Sequence, residues 1–314
     1  MKNVVPIFYA ADENYIPYLA VALASLKKKY AKTNEYRIHV LYAGELNGAA
    51  KKVKAMEEDN FKIVFVDVGE RIRHIRDFTF CRDYYTNAIY YRLFIPDLFP
   101  QYKKALYMDC DTVALTDVAE LYETDIGENL VGAVADQAVA EVPAFRVYVK
   151  NALDIEYERY FNSGVIVMNL SKLREIGFYE KFCSILRSYP FIIAPDQDVL
   201  NLICKDKVYY FPTEWNSMPI GKKKREAKLV HYNLTMKPWH YKNILYGEYF
   251  WESAKETKFY EQLQKQLKNF SEKDEKRDME SKEKLLSLAS AEAENLQNFI
   301  RSFTTQKQKQ GGQV

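Results

Sequence analysis

Residues 4–43 read VVPIFYAADENYIPYLAVALASLKKKYAKTNEYRIHVLYA, and the fold class follows from this segment. It begins with an apolar run of strand length (Val4–Ala10), continues through a helical pattern over residues 17–30, and returns to a β-rich run at 38–43. A shorter candidate helix and a third β-rich run at 62–66 follow. This alternation predicts a mostly parallel α/β sheet, in which ligands bind beyond the carboxyl ends of the strands.

The composition excludes several classes of protein. A chain of 314 residues predicts one large domain or two, and its hydrophobic fraction of 48% excludes extended disorder. Its formal charge is only +2, so a nucleic-acid partner is not expected. The 11 glycines are too few to favour glycine-rich phosphate loops. The four cysteines form no CxxC pair, which favours reduced thiols.

The location is predicted from the absence of long apolar segments. The apolar stretch at residues 4–11 is too short for a signal peptide and runs into Asp12 and Glu13. No window approaches the roughly 18 apolar residues of a spanning helix. We therefore expect a cytoplasmic protein, soluble or peripheral at the inner face of the membrane.

Polar residues follow three further strand candidates. Asp109 and Asp111 come directly after the apolar run at 105–108, Asp136 ends a second run, and His231 ends a third. Two carboxylates spaced two apart at the end of a strand can reach one divalent ion, although such pairs also make turns and helix caps. A histidine alone is more often structural than a ligand.

A second pair of aspartates lies in a different setting. Asp196 and Asp198 flank Gln197 where a helix begins, and Asp196 is expected to be its N-cap. The first pair is therefore the stronger metal candidate.

The C-terminal part of the chain differs in composition. No proline follows Pro238, and the last segment mixes charges with apolar positions at helical spacing. We predict a catalytic domain over residues 1–255 and a helical extension over 256–314 with a frayed tail. The extension is expected to mediate peripheral membrane association or oligomerisation.

Over residues 4–250 the chain resembles glycosyltransferase family 8, the retaining nucleotide-sugar transferases that include bacterial lipopolysaccharide galactosyl- and glucosyltransferases. The matching segments occur in the family's order. They are FYAADENY at 8–15, Tyr91-Arg92-Leu93, Tyr107-Met108-Asp109-Cys110-Asp111, Asp136, Phe161-Asn162-Ser163-Gly164, Asp196-Gln197-Asp198, His231-Tyr232 and Lys237-Pro238-Trp239. The resemblance implies a Rossmann-like nucleotide-binding fold of the GT-A type.

The same resemblance implies roles for individual residues. Asp109, Asp111 and His231 would hold Mn²⁺, with Mg²⁺ as a substitute. The donor UDP-sugar would contact Asp12 and Asn14 at the uracil and ribose, Lys237 at the diphosphate, and Asn162 near the sugar. Arg92 would approach either the diphosphate or the donor sugar. The catalytic residues would be Gln197, Asp196 and Asp136. One departure is Leu234, where similar enzymes often carry glycine three positions after the metal-binding histidine.

The implied function is retaining transfer of a hexose, galactose or glucose, from a UDP-sugar to a glycan, whether free, lipid-linked or protein-linked. A divalent ion would stabilise the charge that develops on the leaving diphosphate. Gln197 is expected near the anomeric carbon, and its amide is a poor nucleophile, which favours attack of the acceptor from the face that the leaving group vacates. Two alternatives remain: a sugar nucleotidyltransferase, which would need a glycine- and lysine-rich N-terminal loop, and a non-catalytic glycan-binding protein on a decayed transferase fold.

Overall fold

The computed structural model describes residues 3–46, 48–81, 86–221, 223–295 and 297–300. It confirms a mixed α/β fold whose main sheet is mostly parallel. The strands are β1 (Val4–Ala10), β2 (Glu35–Tyr42), β3 (Phe61–Asp67), β4 (Ala105–Met108), β5 (Thr112–Ala114), β6 (Val131–Ala135), β7 (Phe161–Met168), β8 (Val208–Tyr210) and β9 (Leu229–His231). The main sheet has the order β3-β2-β1-β4-β7-β6-β8, and β5 pairs with β9 in a separate small sheet.

Helices cover both faces of the main sheet. They are α1 (Ile16–Lys29), α2 (Gly48–Lys54), α3 (Gly69–Arg73), α4 (Ile95–Leu98), α5 (Ala119–Glu123), α6 (Gln137–Glu141), α7 (Pro143–Leu153), α8 (Leu170–Glu175), α9 (Phe178–Ser188), α10 (Pro195–Cys204), α11 (Gly247–Ala254), α12 (Tyr260–Asn269) and α13 (Glu272–Glu294). Short 3₁₀ helices at Asn87–Phe94 and Thr213–Asn216 also carry residues of the site described below.

Strand β1 shows why the N-terminal apolar run is continuous. Val5, Ile7 and Tyr9 point into the core on one face of the sheet, and Phe8 belongs to the core on the other face. A strand that is buried on both faces needs apolar residues at every position. The first three predicted strands and the first two predicted helices match the structure to within a few residues.

Strand β7 runs antiparallel between β4 and β6. Val165 pairs with Met108 at the end of β4, and Phe161 pairs with Ala135 at the end of β6. The first residues of β7 therefore lie at the same edge of the sheet as the carboxyl ends of its neighbours. This register brings the Phe161-Asn162-Ser163-Gly164 segment next to Asp109 and Asp136.

The small sheet brings together residues that are far apart in the sequence. His231 in β9 pairs with Thr112 in β5, and the amide of Tyr232 donates to the carbonyl of Asp111 at 2.9 Å. The pairing places His231 beside the aspartate pair although 120 residues separate His231 from Asp111.

The helices after residue 255 pack against the rest of the chain. Leu263 of α12 is part of the core on one face of the sheet, and Leu285 and Ala289 of α13 are part of the core on the other. The domain boundary at 255 stays a prediction, and the predicted frayed tail at 301–314 lies outside the described residues. In the part of the chain that the structure describes, no helix has the length and apolarity needed to cross a membrane.

Candidate active site

Two adjoining cavities open at the carboxyl edge of the sheet. The outer cavity has a volume of about 430 Å³ and is lined by residues that include Asp12, Tyr15, Met218, Lys237 and Leu286. The inner cavity, about 100 Å³, is lined by residues that include Asp136, Tyr160, Asn162, Ile193 and Gln197. Arg92, Asp109, Phe145, Leu234 and Leu285 line both. Together they offer the space and the few convergent polar groups that are typical of a small-molecule site.

Three predicted metal ligands meet at this edge. One ligand atom from each of Asp109, Asp111 and His231 lies within 4.8 Å of the other two. Nε2 of His231 is 3.3 Å from Oδ1 of Asp111 and 3.7 Å from Oδ2 of Asp109. Two carboxylates and one imidazole can hold a divalent ion such as Mn²⁺ or Mg²⁺.

A chain of hydrogen bonds fixes which imidazole nitrogen faces the aspartates. Oδ2 of Asp136 accepts from Nδ2 of Asn162 at 2.9 Å, and Oδ1 of Asn162 accepts from the amide of Gly164 and from Nδ2 of Asn216. Oδ1 of Asn216 therefore lies against Nδ1 of His231, at 3.0 Å, and accepts a hydrogen bond from its N–H group. Nε2 is consequently the nitrogen that faces Asp109 and Asp111, and in a neutral imidazole it carries the lone pair that a metal ion needs.

Two observations test whether these residues fit a cation. Oδ1 of Asp111 is buried, and among the described residues no hydrogen-bond donor reaches it. A Cβ atom at Gly164 would lie 2.2 Å from Cε1 of His231 and 2.7 Å from Oδ2 of Asp109, so only glycine leaves room for this arrangement. An acceptor oxygen and an acceptor nitrogen that face each other in a buried cradle suit a cation between them.

Lys237 lies on the other side of Asp111. Its buried Nζ donates to Oδ2 of Asp111 and to the carbonyl of Tyr232. Burial would raise the pKa of Asp111, but the Lys237 ammonium opposes this effect, and the pKa lies below its usual range. The Asp111 carboxylate is therefore ionised, as a metal ligand must be.

Arg92 is buried between the carboxylates of Asp109 and Asp196 and contacts both. It donates from Nη2 to Oδ1 of Asp109 at 2.8 Å, and its Nε lies 3.2 Å from Oδ2 of Asp196. Nη1 donates to the carbonyl of Ser163 at 2.6 Å, and the guanidinium stacks on Tyr107. Burial would lower the pKa of Arg92, but Asp109 and Asp196 raise it above its ordinary value. Arg92 thus carries fixed positive charge at the junction of the two cavities.

The three predicted catalytic residues surround the inner cavity. Nε2 of Gln197 donates to Oδ2 of Asp136 at 3.0 Å, and Oε1 of Gln197 accepts from the amide of Ser163 at 2.9 Å. Asp136 also caps α6 through the amide of Val139. Asp196 accepts from Oγ of Ser163 at 3.0 Å, in addition to its ion pair with Arg92. The expectation that Asp196 is an N-cap is wrong: the cap of α10 is Ala194, and Asp196 lies in the first turn.

The second aspartate of that segment turns away from the metal group. Asp198 is fully buried and accepts from the hydroxyls of Tyr148 at 2.8 Å and Tyr160 at 2.6 Å. Burial raises its pKa to about 7, although both tyrosines act against this shift. Within the described chain, the group of carboxylates and imidazole able to hold a metal contains Asp109 and Asp111 but neither Asp196 nor Asp198.

On the predicted nucleotide side, Asp12 lines the outer cavity and Asn14 does not. Oδ1 of Asp12 accepts from the amide of Tyr15 at 3.1 Å, and Oδ2 accepts from Oγ1 of Thr86 at 3.0 Å. Asn14 is exposed, whereas Tyr15, which the motif match did not single out, lines the cavity.

The sequence did not single out Asn216, and it marked Leu234 as a departure without indicating its conformation. Asn216 carries no motif, and it reaches His231 because its segment runs beside β9, where Ser217 forms a bridge with Val230. Leu234 has a φ of 56°, the left-handed conformation that favours glycine. Leu234 thus adopts a backbone conformation that glycine would adopt without strain.

Comparison with known proteins places the chain among sugar transferases. The family profile described as "Glycosyl transferase family 8" matches residues 6–243. The chain is 28% identical to General stress protein A of Bacillus subtilis, over 76% of this chain and 88% of that protein. It is 28% identical to a Lipopolysaccharide 1,2-glucosyltransferase of Escherichia coli K12, over 74% and 72% respectively. The crystal structure of the galactosyltransferase LgtC, in complex with donor and acceptor sugar analogues, superposes with a TM-score of 0.71 at 27% identity, covering 81% of this chain and 96% of LgtC.

Proposed function

The chain belongs to glycosyltransferase family 8, and from this premise we propose that it is a metal-dependent, retaining hexosyltransferase that uses a UDP-sugar. The donor would be UDP-galactose or UDP-glucose, and the acceptor a glycan or glycoconjugate. The observation that carries the proposal is the group of Asp109, Asp111 and His231, with the unpaired buried Oδ1 of Asp111, beside a cavity large enough for a nucleotide sugar.

The proposed metal site would be formed by Asp109, Asp111 and His231. A divalent ion bound there supplies Lewis-acid stabilisation of the diphosphate as the glycosidic bond breaks. Lys237 and Arg92 place fixed positive charge on the same side, because both are buried and hydrogen-bonded to the aspartates. Asp12 and Tyr15 line the part of the outer cavity that we assign to the nucleoside.

The inner cavity supports the retaining mechanism. Its carboxylates are engaged: Asp136 accepts from three donors, Asp196 is held by Arg92 and Ser163, and Asp109 by Arg92. A double displacement needs a carboxylate free to attack the anomeric carbon. We therefore favour attack of the acceptor hydroxyl on the face that the diphosphate leaves, with a diphosphate oxygen taking the proton.

Gln197 has a defined task in this scheme. Its amide is oriented by Asp136 and by the amide of Ser163, so its carbonyl dipole is fixed before the substrate binds. A preorganised dipole stabilises positive charge that develops at the anomeric carbon without forming a bond to it. Asp136 and Asp196 act as positioning groups for Gln197 and Arg92.

Proton NMR of donor turnover tests the proposal. The protein is treated with EDTA, supplied with MnCl₂, and incubated with UDP-glucose or UDP-galactose in the absence of an acceptor. We expect UDP to appear together with the α-anomer of the hexose, before mutarotation. Release of the β-anomer would contradict retention, and a glycosyl ester trapped on Asp136 or Asp196 would replace the same-face mechanism with a double displacement.

The same experiment separates the alternatives. A sugar nucleotidyltransferase would release no free hexose and would instead exchange pyrophosphate into the nucleotide. A non-catalytic binding protein would bind UDP-sugar without turnover. We also propose that the protein works in the cytoplasm, and that the extension over residues 256–314 mediates contact with the inner face of the membrane or with a second copy.

A further inference from the structure

Helix α13 forms part of the cavity wall, although it lies outside the segment that matches the family. The family profile ends at residue 243, and α13 spans Glu272–Glu294. Four of its residues nevertheless line the outer cavity, namely Ser281, Lys282, Leu285 and Leu286. Leu285 also lines the inner cavity. A helix outside the segment that matches the family profile therefore contributes directly to the site.

The position of α13 is fixed along its length. Oδ2 of the buried Asp278 accepts from the hydroxyl of Tyr241 at 3.0 Å and lies 3.7 Å from Nδ1 of His240, close to the Lys237 motif. Beyond the far end of the helix, Nδ2 of Asn298 donates to the carbonyl of Asn151 at 3.1 Å. Buried Ala289 lies between these anchors in the core. The wall is therefore a packed element rather than a loose tail.

The residues that share the cavity with α13 are largely apolar. Phe145 of α7, Leu234 and Leu285 line both cavities, so they lie where the inner cavity meets the outer one. Met218 and Ile220 extend this surface in the outer cavity. Neither a diphosphate nor a ribose needs such a surface, because the charged groups that suit them are Asp12, Arg92 and Lys237.

Leu234 strengthens this interpretation. A leucine at a φ of 56° is disfavoured because its Cβ crowds the following carbonyl, and glycine would avoid that conflict. The chain keeps an apolar side chain at this strained position, at the junction of the two cavities. Strain that persists in a site is a reason to look for a function of that side chain.

We propose that α13 and Leu234 form an acceptor-selecting wall, and that the acceptor carries an apolar group next to the hydroxyl that receives the sugar. The inference rests on the proposed function, since it assumes that the inner cavity holds the donor sugar. An acceptor must approach that sugar across Phe145, Leu234 and Leu285. Burial of apolar groups of the acceptor against these side chains would supply most of its affinity.

Binding of simple glycosides tests the wall. Octyl and methyl glycosides of glucose and galactose are titrated below the micelle concentration into wild-type protein that contains UDP and MnCl₂, and affinity is measured by saturation-transfer NMR. We expect the octyl glycosides to bind at least about tenfold more tightly than the methyl glycosides, because an octyl chain buries several more CH₂ groups. Leu285→Ala and Leu234→Gly should each reduce this ratio to less than about threefold.

Leu288→Ala is the matched control, since Leu288 lies on the same helix and packs against the core without lining either cavity. It should keep the wild-type ratio. Leu234→Gly should fold even if Leu285→Ala does not, because the backbone conformation at position 234 favours glycine. Three results would overturn this inference and leave the proposed function intact. They are equal affinity for octyl and methyl glycosides, no octyl binding to protein that binds UDP, and an unchanged affinity ratio in both variants. Failure of the wild-type protein to bind UDP with Mn²⁺ would overturn the proposed function and this inference with it.

Discussion

Oδ1 of Asn216 lies 3.0 Å from Nδ1 of His231 and fixes the imidazole with Nε2 facing the two aspartates. The proton on Nδ1 is determined by a chain of hydrogen bonds that begins at the carboxylate of Asp136 and passes through Asn162. The proposed sugar site and the proposed metal site are thus joined by one polar network.

Replacing Asn216 with alanine should weaken Mn²⁺ binding by about 10–100-fold, because the imidazole loses the acceptor that orients it. Electron paramagnetic resonance of free Mn²⁺ measures this affinity directly. Asn216→Asp keeps an acceptor for Nδ1 but loses the donor to Oδ1 of Asn162, so it should restore only part of the loss. Equal affinity in the wild-type and alanine proteins would show that Asn216 does not position His231.

Replacing Gly164 with alanine should disrupt the metal group, since a Cβ would lie 2.2 Å from Cε1 of His231. We expect loss of Mn²⁺ affinity together with destabilisation of about 1–3 kcal/mol, measured by denaturant unfolding. Gly48→Ala is the control, because a Cβ there meets no atom within 4 Å. Normal metal binding in Gly164→Ala would contradict the packing described around His231.

Replacing Gln197 with alanine should slow UDP-hexose turnover by ~10²–10³-fold while UDP affinity changes little. The reason is that the amide of Gln197 bonds to Asp136 and Ser163 beside the inner cavity, and Gln197 does not line the outer cavity. Steady-state hydrolysis and calorimetry with UDP separate the two effects. A parallel loss of UDP affinity would mean that Gln197 serves binding and not the chemical step.

Acid should destabilise the protein through His39, which is buried, and His240, which is partly buried. Burial lowers the pKa of His39 and of His240 to about 4, from an ordinary value of 6.5. Between pH 6.5 and 4 the unfolded chain binds more protons at these residues, so stability falls as the pH drops through this window. His39→Gln should reduce the slope of unfolding free energy against pH relative to the wild type. Identical slopes in the two proteins would contradict the burial effect.

Local sequence patterns predicted the strands and the residues that follow them, but not every partner. The apolar run before Asp109 and the alternation of strands and helices are local signals, and the structure contains both. The meeting of Asp111 with His231 was expected from the family resemblance alone, because it depends on the pairing of two three-residue strands, β5 and β9. Strands this short carry too little pattern to indicate which strand they pair with.

The contacts of Asn216 and α13 could not be predicted either, because they join residues that are far apart in the sequence. Asn216 is fully buried and polar, but nothing in its neighbours along the chain indicates that it contacts His231. The apolar positions of α13 predicted a packed helix, and which surface it would cover depends on tertiary contacts such as Asp278 with Tyr241. Helical spacing indicates that one face is buried without identifying the surface that buries it.

The most direct test of the central claim is calorimetric titration of UDP into EDTA-treated protein, with and without MnCl₂, for the wild type, Asp111→Ala, His231→Ala and Asp198→Asn. Asp198 is the matched carboxylate, because it accepts from Tyr148 and Tyr160 and lies outside the metal group. We predict that Mn²⁺ tightens UDP binding at least about tenfold in the wild type and in Asp198→Asn, and that Asp111→Ala and His231→Ala abolish this effect. UDP binding that is independent of Mn²⁺ in the wild type, or a metal effect that survives in Asp111→Ala and is lost in Asp198→Asn, would contradict the account.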